Sequence, residues 1–204
     1  RRGRFQAQSL QDLVASEQAD QLLSHLSCPR PDSLVVCSNL RRAIDTARIA
    51  SAARLEAPGE CIHVLSCLQE IGRNLDTLAL SAPHSVHPRE VLAQPPRGEK
   101  QHDELFNVAE SHGNKAVLGS GQERLHAFAN WVFKQHKDVV VVYGHSLWFR
   151  AFCREFFPRN AQHEFKSAKM SNCGVVTFVL EERSTGGGEA AHYNIQAESF
   201  QQLV

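Results

Sequence analysis

Hydrophobic and polar positions along this chain change period in a regular way. From Glu17 to Leu26, residues Ala19, Leu22, Leu23 and Leu26 form one helical stripe, which Pro29 and Pro31 close. Ser33 to Cys37 is apolar on consecutive positions, as in a strand buried on both faces. Leu40 to Leu55 returns to helical spacing and ends at Pro58-Gly59, and Cys61 to Leu68 reads as a further strand. Leu125, Phe128, Ala129, Val132 and Phe133 predict a helix over Glu123 to Lys137. A minimal connection leads to the strand Val139–Tyr143, and a helix from Ser146 to Phe157 stops at Pro158. Val175 to Leu180 and Tyr193 to Phe200 read as two strands of an antiparallel edge, joined by a flexible, triple-glycine link over Arg183 to Glu189.

Residues 73 to 120 break this alternation. Pro83, Pro88, Pro95 and Pro96 interrupt them, so irregular structure with short helices is expected there, as a lid or binding loop between core strands. Helix and strand otherwise alternate, which argues for one α/β domain over residues 1–204 with a mostly parallel sheet. Ligands of such sheets bind beyond the carboxyl ends of the strands.

Charge narrows the class of partner. Lys+Arg and Asp+Glu are both 22, giving a formal net charge of +0, so the broad basic excess of a nucleic-acid or membrane-surface binder is missing. No apolar run approaches the ~20 residues of a membrane span, and a cytoplasmic protein is expected. The six cysteines form no CxxC pair and no Cys/His set has zinc-ligand spacing; they read as reduced and structural.

The chemistry sits where strands end. Val35-Val36-Cys37-Ser38-Asn39-Leu40-Arg41-Arg42 is a strand that breaks and opens a helix with two arginines in its first turn. Free N–H groups and the helix dipole make that position an anion site, and arginine adds a fork that matches phosphate oxygens. Two cations at a helix N-terminus are unfavourable unless an anion sits there. Downstream, Val139 to Tyr143 ends on Gly144-His145-Ser146, with Ser146 a candidate N-cap and His145 able to contact a phosphoryl oxygen or move a proton. Glu70, after another strand, is a candidate general acid or else a solvated loop residue.

Together these segments resemble the histidine phosphatase superfamily, the phosphoglycerate-mutase-like family. Ser38-Asn39-Leu40-Arg41-Arg42-Ala43-Ile44-Asp45-Thr46-Ala47 is similar to its S-x-L-x-R-A-x-x-T-A motif. Tyr143-Gly144-His145-Ser146 is similar to its second histidine motif, Leu68-Gln69-Glu70-Ile71-Gly72 to its acid segment, and Glu17-Gln18-Ala19 to the tail of its helix entry, with Ala15 where glycine is usual. Phe106 to Lys115 and Gly144 to Arg150 look most like a eukaryotic branch of the family. The resemblance implies a three-layer α/β/α sandwich. It also implies a phosphomonoesterase that needs no metal or cofactor and acts through phosphohistidine on a small phosphorylated metabolite.

On that reading Arg42, Glu70 and His145 are catalytic. Arg1, Ser38, Asn39, Arg73, Ser146 and Asn172 would bind substrate, with Asn74, Asn114, Lys115 and Lys169 as further polar candidates. The family's nucleophile is the histidine of an R-H-G motif at the end of its first strand. Here the only counterpart is Arg1-Arg2-Gly3, with Arg2 in the histidine's place. Two readings follow: a phosphate-binding pseudophosphatase, since arginine stays protonated, or an R-H-G strand upstream of residue 1. A mutase lacks dedicated support, and oligomeric state is not readable from the chain.

Overall fold

The computed structural model describes residues 24–79, 81–86, 102–183 and 191–203. Arg1-Arg2-Gly3, Glu17-Gln18-Ala19, the prolines at 88, 95 and 96 and the triple glycine lie outside the described residues. So does most of the first predicted helix, of which α1 (Ser24–Ser27) is described.

The consecutive-apolar segments form the parallel sheet their composition calls for. β1 (Ser33–Ser38) is buried at every position. It is flanked by β2 (Ile62–Leu65) and β4 (Val139–Tyr143), with the two-residue β3 (Phe106–Asn107) outside β2, in the order β3-β2-β1-β4. All three pairings are parallel. Ser38 pairs with Leu65 and Cys37 pairs with both Val64 and Tyr143. The exits of β1, β2 and β4 therefore lie side by side at one edge, where the three candidate catalytic segments begin.

Helices cover both faces. α2 (Arg41–Ala50) and α3 (Ala52–Leu55) pack with Val35, Cys37, Ile62 and Val64 on one face. α5 (Gln122–Lys134) and α6 (Ser146–Phe156) pack with Leu34, Val36 and Leu65 on the other. The short α4 (His102–Leu105) leads directly into β3, placing Leu105 and Phe106 in the first of these layers. This is an α/β/α sandwich, and the insert contributes a strand to its sheet as well as irregular chain.

Three expected elements divide. The helix expected over 40–55 breaks at Ser51, whose hydroxyl meets the Tyr143 hydroxyl at 2.8 Å in the core. The strand expected over 61–68 ends at Leu65, and a 3-10 turn, Ser66–Leu68, carries the chain to Glu70. The C-terminal pair becomes two separate antiparallel ladders, β5 (Val176–Thr177) with β8 (Gln201–Gln202) and β6 (Leu180–Arg183) with β7 (His192–Ile195). The break falls at Val179, whose N–H is taken by Ser199 Oγ and whose carbonyl accepts from Gln196, so neither strand runs through.

Candidate active site

The chain leaves β1 through Ser38 and Asn39, both buried, and enters α2 at Arg41. Ser38 Oγ accepts the Leu40 N–H at 3.3 Å, closing the turn that aims the first helical turn outward. Asn39 Nδ2 donates to the Gly113 carbonyl at 2.8 Å and to Ser66 Oγ at 3.1 Å. These two side chains build the site's frame, and neither is among the residues lining its cavity. Arg42 is exposed and lines the cavity; its Nη1 donates to the Asp76 carbonyl at 2.6 Å.

Glu70 follows the 3-10 turn after β2. The residue is only 9% exposed, with its Oε1 accepting the Ile71 N–H at 3.0 Å. Burial raises its pKa above the ordinary carboxylate value, opposed by the Ile71 N–H, the Arg42 charge, the Trp148 backbone and the Lys115 charge. A carboxyl so placed holds its proton closer to neutral pH than a solvated one does.

His145 occupies the N-cap of α6 in extended backbone, and Ser146, expected as the cap, is the first helical residue. Gly144 before it makes room for a neighbouring side chain: a Cβ there would sit 3.1 Å from two atoms of the Phe149 ring. His145 is 5% exposed and its Nε2 has no hydrogen-bond partner. Burial, then the charges of Arg42, Lys115 and Arg124, depress its pKa to about 3. It is thus a neutral imidazole with one buried ring nitrogen unpaired, in a field of three cations.

Arg42, Glu70, His145, Ser146 and Asn172 all line one cavity of about 1520 Å³. Arg73 and Asn74 lie on an exposed turn away from it, where the Asn74 carbonyl closes the turn onto Thr77. Arg1 lies outside the described residues. Two further cations join the cluster: Lys115, a polar candidate from the sequence, and Arg124, which nothing in the sequence singles out. Lys115 Nζ donates to the carbonyls of Glu70 and Gly72 at 2.5 and 2.6 Å. Arg124 Nη1 donates to the Gln69 carbonyl. Arg124 sits in the first turn of α5, between Glu123 and Leu125, and only tertiary packing brings it to Glu70. Among the described residues, no group of three His, Cys, Asp or Glu side chains is placed to hold a metal ion.

The cavity continues from this cluster along the whole of β4. Val139 to Val142 line it on one side and Val175 to Leu180 on the other. Val141 and Val175 belong to one hydrophobic layer, while Val140, Val142, Val176 and Phe178 belong to the opposite one. The trench therefore lies in the plane of the sheet. The β4 edge that faces it has no strand partner among the described residues, and Val139 to Val142 are only half-buried.

No curated protein matches this chain significantly. Among solved structures it is similar to a candidate alpha-ribazole-5'-P phosphatase from Escherichia coli K-12 MG1655, at 18% identity and a TM-score of 0.41, over 83% of this chain and 71% of that one. The family model of the histidine phosphatase superfamily, branch 1, matches residues 2–195. That match runs through all three strand exits described above, and the chain belongs to the histidine phosphatase superfamily.

Proposed function

We propose that this protein is a phosphomonoesterase that transfers the phosphoryl group of a small phosphorylated metabolite to a histidine and then to water. The observation that carries the reading is the convergence of Arg42, Glu70 and neutral His145 on one cavity at the carboxyl edge of a parallel sheet. Phosphoryl transfer passes through a loose state with charge spread over three equatorial oxygens, so fixed positive charge and hydrogen-bond donors supply much of the catalysis. Arg42 offers a fork to two such oxygens, and the unpaired His145 Nε2 offers a further contact. In the first step the nucleophile bonds phosphorus, the ester P–O bond breaks and Glu70 protonates the departing alkoxide. In the second, Glu70 takes a proton from water as its oxygen bonds phosphorus, the P–N bond to the histidine breaks, and inorganic phosphate leaves.

The nucleophilic histidine is not among the described residues. The trench beside β4 suits one more parallel strand, apolar on both faces, whose end would emerge next to His145 and Arg42. In our reading, the strand bearing the nucleophile occupies it. Ser146 and Asn172, which line the cavity, are then the nearest determinants of what else the substrate carries, with the charges of Lys115 and Arg124 acting from behind His145 and Glu70.

Phosphate release from p-nitrophenyl phosphate and from an alkyl phosphate, with acid-labile labelling of a histidine, tests this. Turnover that survives unchanged in both Arg42→Ala and His145→Ala sinks it. Phosphate that raises the melting temperature of a protein with no turnover and no labelled histidine would instead make it a phosphate-ligand binder.

A further inference from the structure

The turn that carries Glu70 is held from outside by two cations. Lys115 Nζ takes the Glu70 and Gly72 carbonyls, and Arg124 Nη1 takes the Gln69 carbonyl. Lys115 also donates its backbone N–H to Gln69 Oε1 at 2.9 Å, while Gln69 Nε2 donates to the Thr77 carbonyl at 2.7 Å. Gln69 is fully buried, so this amide is a core strut between the insert and the acid turn. The segment that delivers Lys115 is itself fixed. The Gly113 carbonyl accepts from Asn39 and Ser66, the His112 N–H donates to Ser66 Oγ at 2.7 Å, and the Ser66 N–H donates to the Glu110 carbonyl at 3.1 Å. The end of the insert is thus stitched to the exits of β1 and β2 before it reaches Glu70.

We propose that Lys115 is the positioning residue for Glu70, fixing the acid's own carbonyl and that of Gly72 while placing a cation beside the carboxylate. This rests on Glu70 acting as the general acid. A carboxyl that must meet a leaving oxygen at hydrogen-bond distance tolerates little displacement, and two carbonyls bound to one ammonium remove that freedom. The charges around Glu70 come from every neighbouring element: Arg42 on α2, Lys115 on the insert, and Arg124 on α5, which itself feels the Glu70 charge. His145, at the head of α6, stays neutral among them. Loss of Lys115 removes an interaction that favours the ionised carboxylate, so the Glu70 pKa rises.

Lys115→Met, Lys115→Arg and Glu70→Gln, each in the full chain, test the proposal with two esters. An alkyl phosphate needs its leaving oxygen protonated, and p-nitrophenyl phosphate scarcely does. Lys115→Met should lower kcat for the alkyl ester by about 10²-fold, and that for the aryl ester by only about twofold, the pattern also expected of Glu70→Gln. Lys115→Arg should restore most of the alkyl rate. Equal loss on both esters overturns the proposal, because misfolding or lost phosphate binding has no leaving-group preference. A carboxyl NMR titration of Glu70 reads the same contact without turnover. An upward shift in Lys115→Met supports the proposal, and an unmoved titration overturns it. If the wild-type chain hydrolyses neither ester, the phosphatase reading fails and this titration still decides whether Lys115 governs Glu70.

Discussion

Arg42 and Asp76 are joined, with the guanidinium donating to the Asp76 carbonyl at 2.6 Å. One arm of the arginine thereby ties the head of α2 to the loop that follows Glu70. The bond restrains a long side chain in one place, so less rotamer freedom remains to be lost when an anion binds. Arg42→Ala is expected to reduce turnover about 10²- to 10³-fold and to abolish the rise in melting temperature caused by phosphate. Arg42→Lys should recover little of either, since an ammonium cannot hold the carbonyl and two phosphate oxygens in one plane. Steady-state kinetics and thermal shift against phosphate concentration check both.

His145 makes the fold sensitive to acid. Its ring stays neutral down to about pH 3 in the folded protein, against an ordinary value of 6.5. Between those values the unfolded chain binds a proton that the native one refuses, so stability is lost as pH falls through that window. The slope from one such group is at most about 1.4 kcal/mol per pH unit. His63, also lowered by burial, acts in the same sense, whereas Glu70, raised above 4.5, pulls the other way just above that pH. Urea melts at successive pH values should give a shallower acid slope for His145→Asn than for wild type. Identical slopes would contradict the depressed histidine.

Arg54 is a structural cation far from the chemistry. It is fully buried, donates to Glu60 Oε2 at 2.5 Å, and reaches the carbonyls of His25 and Ser33 at 2.9 and 3.1 Å. It joins α1, α3 and the start of β1. Arg54→Met leaves a carboxylate and two carbonyls without their donor, and should cost about 3–5 kcal/mol in denaturant melts. A loss under 1 kcal/mol would show that water replaces the guanidinium.

The Ser51–Tyr143 contact predicts a smaller effect. Both hydroxyls are buried, and burial pushes the phenol pKa up to about 12. Tyr143→Phe strands the Ser51 hydroxyl and should cost about 1–2 kcal/mol. The double variant Tyr143→Phe with Ser51→Ala should recover part of that loss, because replacing both partners removes the orphan. A double-mutant cycle measures it.

Much of this molecule was legible in its residue pattern, for a physical reason. Consecutive apolar residues at 34–37 and 139–143 suit only a strand covered on both faces, and the stripes at 122–134 and 146–156 suit only helices that cover them. Strand exits in a parallel sheet share one edge, so Arg42, Glu70 and His145 were recognisable as one group from their places after three strands. Where the helix after β1 would break was not legible, since Ser51 leaves the helix at its contact with a tyrosine far along the chain. The division of the C-terminal strands was equally hidden, depending on Ser199 and Gln196 reaching Val179. Ser38 and Asn39 look like ligand residues in sequence because they border the motif, yet burial turns them inward as braces. Lys115 and Arg124 carry no periodic signal. Their part depends on which carbonyls the packed chain brings within reach, and local sequence does not encode distances between segments some 45 to 55 residues apart. Periodicity and strand-end chemistry decided the layers and the site's address; only the tertiary structure decided which charges surround Glu70 and His145, because burial and electrostatic coupling belong to the assembled molecule.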